Sequence, residues 1–277
     1  MSSKIVLDSS GDLQTFEGVD FASVPLKILA ADREFIDNAD ENVMGMVEFL
    51  REYKGKATTS CPGVGEYLEA YGDADNVYCV TITSNLSGSY NAAEVAARTY
   101  LEQHPERKIH VFDSLSTGPE MALIAEKIRE LLKQDLAFEN IVEQIKKYQE
   151  KTRLMFALES LHNLANNGRV SGAVAAIAGI LGIRLIGKAS DVGTLQPSGK
   201  VRGEKKLLPE LLKNMMEMGY AGGKLRIDHC NNPGAAEKLT QLILERFPEA
   251  DVATGVCGAL CSFYAEEGGL LIGFEVA

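Results

Sequence analysis

The sequence has no C-x-x-C pair, and its five cysteines, Cys61, Cys79, Cys230, Cys257 and Cys261, are odd in number. Neither a disulfide framework nor a zinc site fits that set, because Cys257 and Cys261 lack His or Cys partners at zinc spacing. The expectation is reduced thiols in a cytoplasmic protein, with no metal. Positive charge is scarce: 28 Lys and Arg against 39 Asp and Glu give a formal net charge of −11. Nucleic-acid backbones and anionic lipid surfaces both demand the opposite sign, so neither is an expected partner. Long apolar runs are missing too. The longest, over 172–187, is too short for a membrane span, is broken by glycine and contains Arg184. The start runs straight into Ile5-Val6-Leu7 with no basic, apolar leader, so no secretion signal is expected. Repeats and low-complexity linkers are absent. There is no G-x-S-x-G elbow and no G-x-x-x-x-G-K-[ST] phosphate loop, and none of His104, His110, His162 and His229 adjoins a serine motif.

What is there is ordinary globular composition, 45 % hydrophobic and 24 % charged. The first half alternates strand and helix patterns. Strands are expected over 4–7, 76–83 and 108–112, and helices over 44–53, 90–104, 121–134 and 138–151. Alternation at this spacing predicts a parallel sheet with helices on both faces. In the second half, strands over 153–158, 184–190, 194–201, 224–230, 251–256 and 270–276 include neighbours separated only by turns. That predicts a mixed or antiparallel sheet. Helices are expected there over 160–167, 170–181, 204–218 and 234–246. The fold class is therefore α/β in two domains, 1–153 with the parallel sheet and 154–277 with the mixed one.

Small hydroxyl residues and glycine follow three of the strands: Asp8-Ser9-Ser10-Gly11, Ser84-Asn85-Leu86-Ser87-Gly88-Ser89 and Asp113-Ser114-Leu115-Ser116-Thr117-Gly118. Ligands of open parallel sheets sit beyond the carboxyl ends of the strands. A helix opening after Ser87-Gly88-Ser89 offers free N–H groups and a positive dipole end to an anion. Thr58-Thr59-Ser60-Cys61-Pro62-Gly63 is a fourth such cluster. Each of these turns reads equally as a helix cap, with Pro62 in a first helical turn. Basic residues collect at Arg169, Lys188, Lys200, Arg202, Lys205 and Lys206, reversing the overall sign locally. They read either as a solvated face or as a docking patch.

Taken in order, several segments resemble the DegV family. Asp8-Ser9 stands where that family carries Thr-Asp-Ser, with Leu7 in place of the Thr. Val24-Pro25-Leu26 resembles its next strand, Thr59-Ser60-Cys61-Pro62-Gly63 its Thr-Ser-Gln-Pro-Ser, and Ser84-Asn85-Leu86-Ser87-Gly88-Ser89-Tyr90 its Ser-x-Leu-Ser-Gly-Thr-Tyr. Asp113-Ser114, Asn167-Gly168-Arg169-Val170-Ser171 and Lys200-Val201-Arg202 complete the series. The resemblance implies a two-domain protein with a long-chain fatty acid in an inter-domain tunnel, its carboxylate on the hydroxyl turns. It also implies a fatty-acid-binding role without catalysis, no other cofactor, and an ATP-dependent fatty acid kinase subunit as a partner. On this view Thr59, Ser60, Ser87, Gly88 and Ser89 hold the head group, while Arg169 and Arg202 face the partner. The helix over 173–180 would supply tunnel wall.

The likeness breaks near the end, where a His-x-Gly-x-Gly turn falls on Tyr264-Ala265-Glu266-Glu267-Gly268. Tyr264 then stands for the family's histidine at the head group. Glu266 and Glu267 would bring negative charge to an anion site, which would disfavour phosphoryl transfer. Two alternatives remain open: a diverged regulatory binder of another lipid or small molecule, and a hydrolase or transferase using Ser87 or Ser89.

Overall fold

The computed structural model describes residues 2–172, 174 and 182–277. The helix expected over 170–181, and with it the proposed tunnel wall over 173–180, lies largely outside them. In the first half, strands β1 (Ser3–Asp8), β2 (Asp20–Val24), β6 (Asn76–Thr81) and β7 (Lys108–Asp113) form a parallel sheet in the order β2-β1-β6-β7. Helices α2 (Val64–Tyr71) and α3 (Ser89–Gln103) pack on one another beside it, and α4 (Pro119–Leu132) and α5 (Phe138–Gln149) follow β7. The apolar runs Ile5-Val6-Leu7 and Val77-Tyr78-Cys79-Val80 are buried on both faces, as parallel strands between helical layers must be.

The chain enters a second, six-stranded sheet at β8 (Thr152–Leu158). Its order is β10-β9-β8-β13-β11-β12, with β9 (Ile183–Ala189), β10 (Leu195–Arg202), β11 (Leu225–His229), β12 (Val252–Val256) and β13 (Leu270–Glu275). Every neighbouring pair is antiparallel except β11 with β12, so the sheet is mixed as expected. Helices α7 (Glu204–Glu217) and α8 (Pro233–Arg246) cover its outer face, and α6 (His162–Asn166) and α9 (Ala259–Ala265) lie at the inner side.

Besides β2, of which only Val24 fell within an expected strand, two elements escaped the sequence reading. A small antiparallel sheet, β4-β3-β5, is built from β3 (Lys27–Ala30), β4 (Arg33–Ile36) and β5 (Thr58–Ser60), with α1 (Val43–Glu52) between β4 and β5. Ile28 and Phe35 of this sheet, with Met46 and Val47 of α1, share one apolar cluster with Phe156, Leu158 and Phe263 of the second half. The other element is α9, only seven residues long. Thr59 and Ser60, read as a helix cap, are strand residues instead; α2 is capped at Gly63, whose N–H donates to Glu66 Oε2 at 2.7 Å.

Helix α4 is the layer common to both large sheets. It packs on β1 and β6 on one side and on β8, β11 and β13 on the other. Nine of its residues, from Pro119 to Leu131, are buried accordingly. On β13 the approach is so close that a Cβ on Gly273 would lie 2.5 Å from the Glu120 backbone nitrogen and 2.6 Å from the Pro119 carbonyl carbon. Backbone cannot retreat as a flexible side chain can. Gly273→Ala is therefore expected to destabilise the fold by about 1–3 kcal/mol through overpacking. A urea midpoint equal to that of the parent would refute this account of the α4–β13 contact.

Candidate functional site

Between the first sheet, the small sheet and the inner face of the second sheet lies a cavity of about 310 Å3. It falls within the size range of small-molecule sites. One part of its wall is polar: Thr59, Ser60 and Cys61 from β5 and its exit, Leu86, Ser87 and Gly88 at the opening of α3, Arg169 after α6, and Tyr264 from α9. Apart from Thr117 and the Cys261 thiol the rest is apolar, with Leu26, Ile82, Leu260 and Leu271, and with Leu154, Phe156 and Leu158 from alternate positions of β8.

The polar wall is joined across the two halves of the chain. The Thr59 Oγ1 and Tyr264 hydroxyl oxygens are 2.7 Å apart in a hydrogen bond. Burial pushes the Tyr264 phenol up from its ordinary pKa, so it stays neutral and able to donate. The β5 exit and the α3 opening touch as well, since a Cβ on Gly88 would come 3.0 Å from Cys61 Sγ. Gly88 is the N-cap of α3, so the free N–H groups of this 15-residue helix begin at the cavity.

Four of the expected head-group residues of the first half, Thr59, Ser60, Ser87 and Gly88, thus line one cavity together with Tyr264. Ser89 does not. It is fully buried, one layer behind the wall, and shares a 3.1 Å hydrogen bond with the Ser87 hydroxyl. As the first residue of α3 it is packed into the core, and its N–H also donates to the Ser87 hydroxyl at 3.3 Å. Arg169, expected on a partner face, lies on the cavity wall: its Nε donates to the Leu86 carbonyl at 3.2 Å and its Nη1 to the Asn167 carbonyl. Gly168, at φ 73°, makes the turn that sends the side chain there. Arg202 is exposed on β10, among exposed Lys200, Lys205 and Lys206.

The acidic pair near the end is also relocated. Glu266 Oε1 accepts from the Asn163 N–H at 3.1 Å, while Glu267 pairs with Arg51 at 3.2 Å and Asn231 at 3.0 Å. Neither lines the cavity, because α9 ends between Tyr264 and these residues and Glu266 leaves it at φ 54°. The repulsion expected at the head group therefore has no source in them. None of the four histidines lines the cavity either, so its hydroxyls have no imidazole base beside them. All five cysteines are free thiols, and among the described residues no group of three or more His, Cys, Asp or Glu could hold a metal ion. Among those residues, too, no helix is long and apolar enough to cross a membrane.

Two buried carboxylates that sequence reasoning passed over hold α9 in place. Asp12 Oδ1 accepts the Gly258 N–H at 2.8 Å, and Asp37 Oδ1 accepts the Ala259 N–H at 2.6 Å. Both bonds tie the first half of the chain to the helix that carries Tyr264. The loop between β9 and β10 closes from another side. Asn85 Nδ2 donates to the Val192 carbonyl at 2.6 Å, and Gly193, at φ 75°, lies so close to Thr83 that a Cβ there would be 2.2 Å from its Oγ1.

The family model described as "Uncharacterised protein, DegV family" matches residues 2–276. The chain belongs to the DegV family. A DegV domain-containing protein of Streptococcus pneumoniae is 43 % identical over 280 residues, covering 100 % of both chains. Among solved structures, a DegV family protein from Eubacterium eligens loaded with heptadecanoic acid matches with a TM-score of 0.98, 44 % identity and 100 % of each chain covered. The Streptococcus pneumoniae Fatty Acid Kinase (Fak) B3 protein loaded with linoleic acid matches with a TM-score of 0.98, 43 % identity and the same coverage. A DegV family protein from Ruminococcus gnavus, refined with vaccenic acid, gives 0.91 at 33 % identity, covering 99 % of this chain and 100 % of its own.

Several acids buried in this DegV fold lie above the ordinary carboxylate range. Burial raises Asp8 to about 7, Asp37 to about 6 and Glu120 to about 7. Each folded value lies above that of the unfolded chain, so between them the native state binds more protons. The stability these groups contribute is complete below pH about 4 and is lost as pH rises through about 6 to 7. Exposed carboxylates lowered by lysine partners, such as Glu139 and Glu143, act oppositely but are screened by water. The calorimetric melting midpoint is expected to be higher at pH 5.5 than at pH 8. An equal or lower midpoint at pH 5.5 would mean that these carboxyls are ionised in the fold.

Proposed function

We propose that this chain binds one long-chain fatty acid as a non-catalytic carrier and presents its carboxylate to a separate ATP-dependent kinase subunit. The observation that carries the reading is the division of a single cavity into a hydroxyl- and guanidinium-lined part and an apolar remainder. Such a division suits an acid with a long hydrocarbon tail. Burying some 15 methylenes contributes roughly 12 kcal/mol gross at about 0.8 kcal/mol per CH2, and association costs reduce this without cancelling it. The fatty acids bound by the relatives from Eubacterium eligens and Streptococcus pneumoniae support the same ligand class. The kinase partner rests on the likeness to the Fak B3 protein.

In this reading the carboxylate accepts hydrogen bonds from Thr59, Ser60, Ser87, the backbone at Gly88 and the Tyr264 hydroxyl. Arg169 supplies positive charge from the wall, and the α3 dipole adds to it. Tyr264, neutral and already bonded to Thr59, serves as a donor and not as a proton relay. The lobes 1–153 and 154–277 close on the ligand, with the Asp12 and Asp37 bonds to α9 and the Asn85–Val192 contact holding them together. The exposed basic strand end at Lys200 and Arg202, in a chain of net charge −11, offers the kinase subunit a patch of opposite sign. A cytoplasmic location suits both the free thiols and an ATP-dependent partner.

Mass spectrometry of the purified, denatured protein is expected to release one fatty acid per chain, and protein free of lipid that also refuses added fatty acid would sink the reading. Removing one charge-assisted hydrogen bond costs about 1.5–3 kcal/mol, so Ser87→Ala and Tyr264→Phe should each weaken fatty-acid binding about tenfold or more. Displacement titration measures this, and undiminished affinity would remove that residue from the head-group site. Arg169→Ala should lose affinity likewise. Arg202→Ala should retain the lipid while slowing ATP-dependent acyl phosphate formation in the presence of a kinase subunit; loss of lipid from Arg202→Ala would contradict the assignment.

A further inference from the structure

Strand alternation sends Leu154, Phe156 and Leu158 of β8 to the cavity, while Met155 and Ala157 join the core on the opposite face. On the neighbouring strand β9, the residue directly across from Phe156 is Gly187. A Cβ built on Gly187 would stand 2.2 Å from Phe156 Cζ, 2.4 Å from its Cε2 and 2.9 Å from the Gln196 carbonyl oxygen. The ring of Phe156 therefore lies over the bare Cα of Gly187, in space that any other residue would fill. Gly187 is not among the residues at positive φ. Its backbone would tolerate a side chain, so glycine is required there for room. Phe156 is 3 % exposed and also lines the cavity, so its one ring both completes the sheet's inner surface and forms part of the ligand's wall.

From this contact we infer that Gly187 is a specificity-determining residue: by letting Phe156 lie against the sheet, it sets how much hydrocarbon the cavity admits. The inference rests on the reading of the cavity as a fatty-acid site and deepens it. A methyl group at position 187 would drive the far edge of the ring off the strand. Leu154 and Leu158 flank the ring along β8 on the same face, and the sheet backs it, so the ring's way out is into the cavity. The space lost there is space for methylenes, and each unburied methylene weakens binding by several-fold. Long acids should suffer more than short ones.

The test loads the full-length parent, Gly187→Ala, Phe156→Leu and the double variant from one equimolar mixture of lauric, myristic, palmitic and stearic acids. The bound acids are then quantified by mass spectrometry. In Gly187→Ala the stearic-to-myristic ratio should fall about tenfold or more relative to the parent. In Phe156→Leu, with the glycine kept, the ratio should equal or exceed the parent's. In the double variant the loss should disappear, because the ring that transmits it is gone. A parental ratio in Gly187→Ala would overturn the proposal. So would a tenfold loss persisting in the double variant, which would trace the effect to the Gln196 carbonyl instead of the ring. Should Gly187→Ala fail to fold, the double variant and Phe156→Leu decide: failure of the double variant to fold or a ratio below the parent's in Phe156→Leu counts against it. A parent that takes up none of the four acids would overturn the fatty-acid reading itself, an outcome distinct from unaltered selectivity in the variants.

Discussion

Helix α4 has to satisfy two sheets at once. It lies on the parallel sheet through Met121, Ile124, Ala125 and Ile128, which share a cluster with Ile5, Leu7 and Tyr78, and it touches β13 through backbone alone at Gly273. A helix apolar on both sides cannot remain at a surface. Its burial fixes the distance between the two sheets, and that distance leaves room for the cavity at the end where α4 begins. Gly118, the residue before the helix, marks the junction: its N–H donates to the Ser10 carbonyl at 2.7 Å, and Thr117 next to it is cavity wall.

The polar end of the cavity is assembled from parts far apart in sequence. Thr59 meets Tyr264 and Arg169 meets the Leu86 carbonyl, while outside the cavity wall Asn85 meets the Val192 carbonyl. None of these contacts is strong alone, and each bond of this kind is worth about 1 kcal/mol net. Their common consequence is geometric. With Asp12 and Asp37 holding the start of α9, donors from the strand exit at β5, the opening of α3 and the last turn of α9 converge on one small volume. An arrangement spread over so many elements suits a carrier, which must enclose its ligand and later open. It suits a hydrolase less well, since a nucleophile and its base need tight mutual placement.

Buried acid groups recur around this end: Asp8 beneath the first turn, Asp12 and Asp37 under α9, and Glu120 at the start of α4, bonded by the Thr152 hydroxyl at 2.7 Å. Burial raises Asp8, Asp37 and Glu120 above the ordinary carboxylate range, for Glu120 against the opposing pull of the Arg153 charge, and like charges from Asp228 and Asp37 add to the effect of burial on Asp12.

Periodicity and composition by themselves determined the two-sheet α/β architecture, because long apolar strands and amphipathic helices carry their signal locally. The order of the Thr59, Ser87, Arg169 and Arg202 segments carried the family, and the hydroxyl turns carried most of the polar wall. Other features left no local trace. Strands β3 to β5 are three or four residues long and α9 only seven, lengths at which neither period can be recognised. Ser87 and Ser89 are alike in sequence, yet only tertiary structure decided that one faces the cavity and the other lies behind it. The same holds for Arg169, which a basic segment identifies and a left-handed glycine aims, and for Glu266 and Glu267, which the end of α9 turns away. Sequence fixes which groups are available, whereas the direction of a side chain at a turn depends on backbone torsions that distant packing selects.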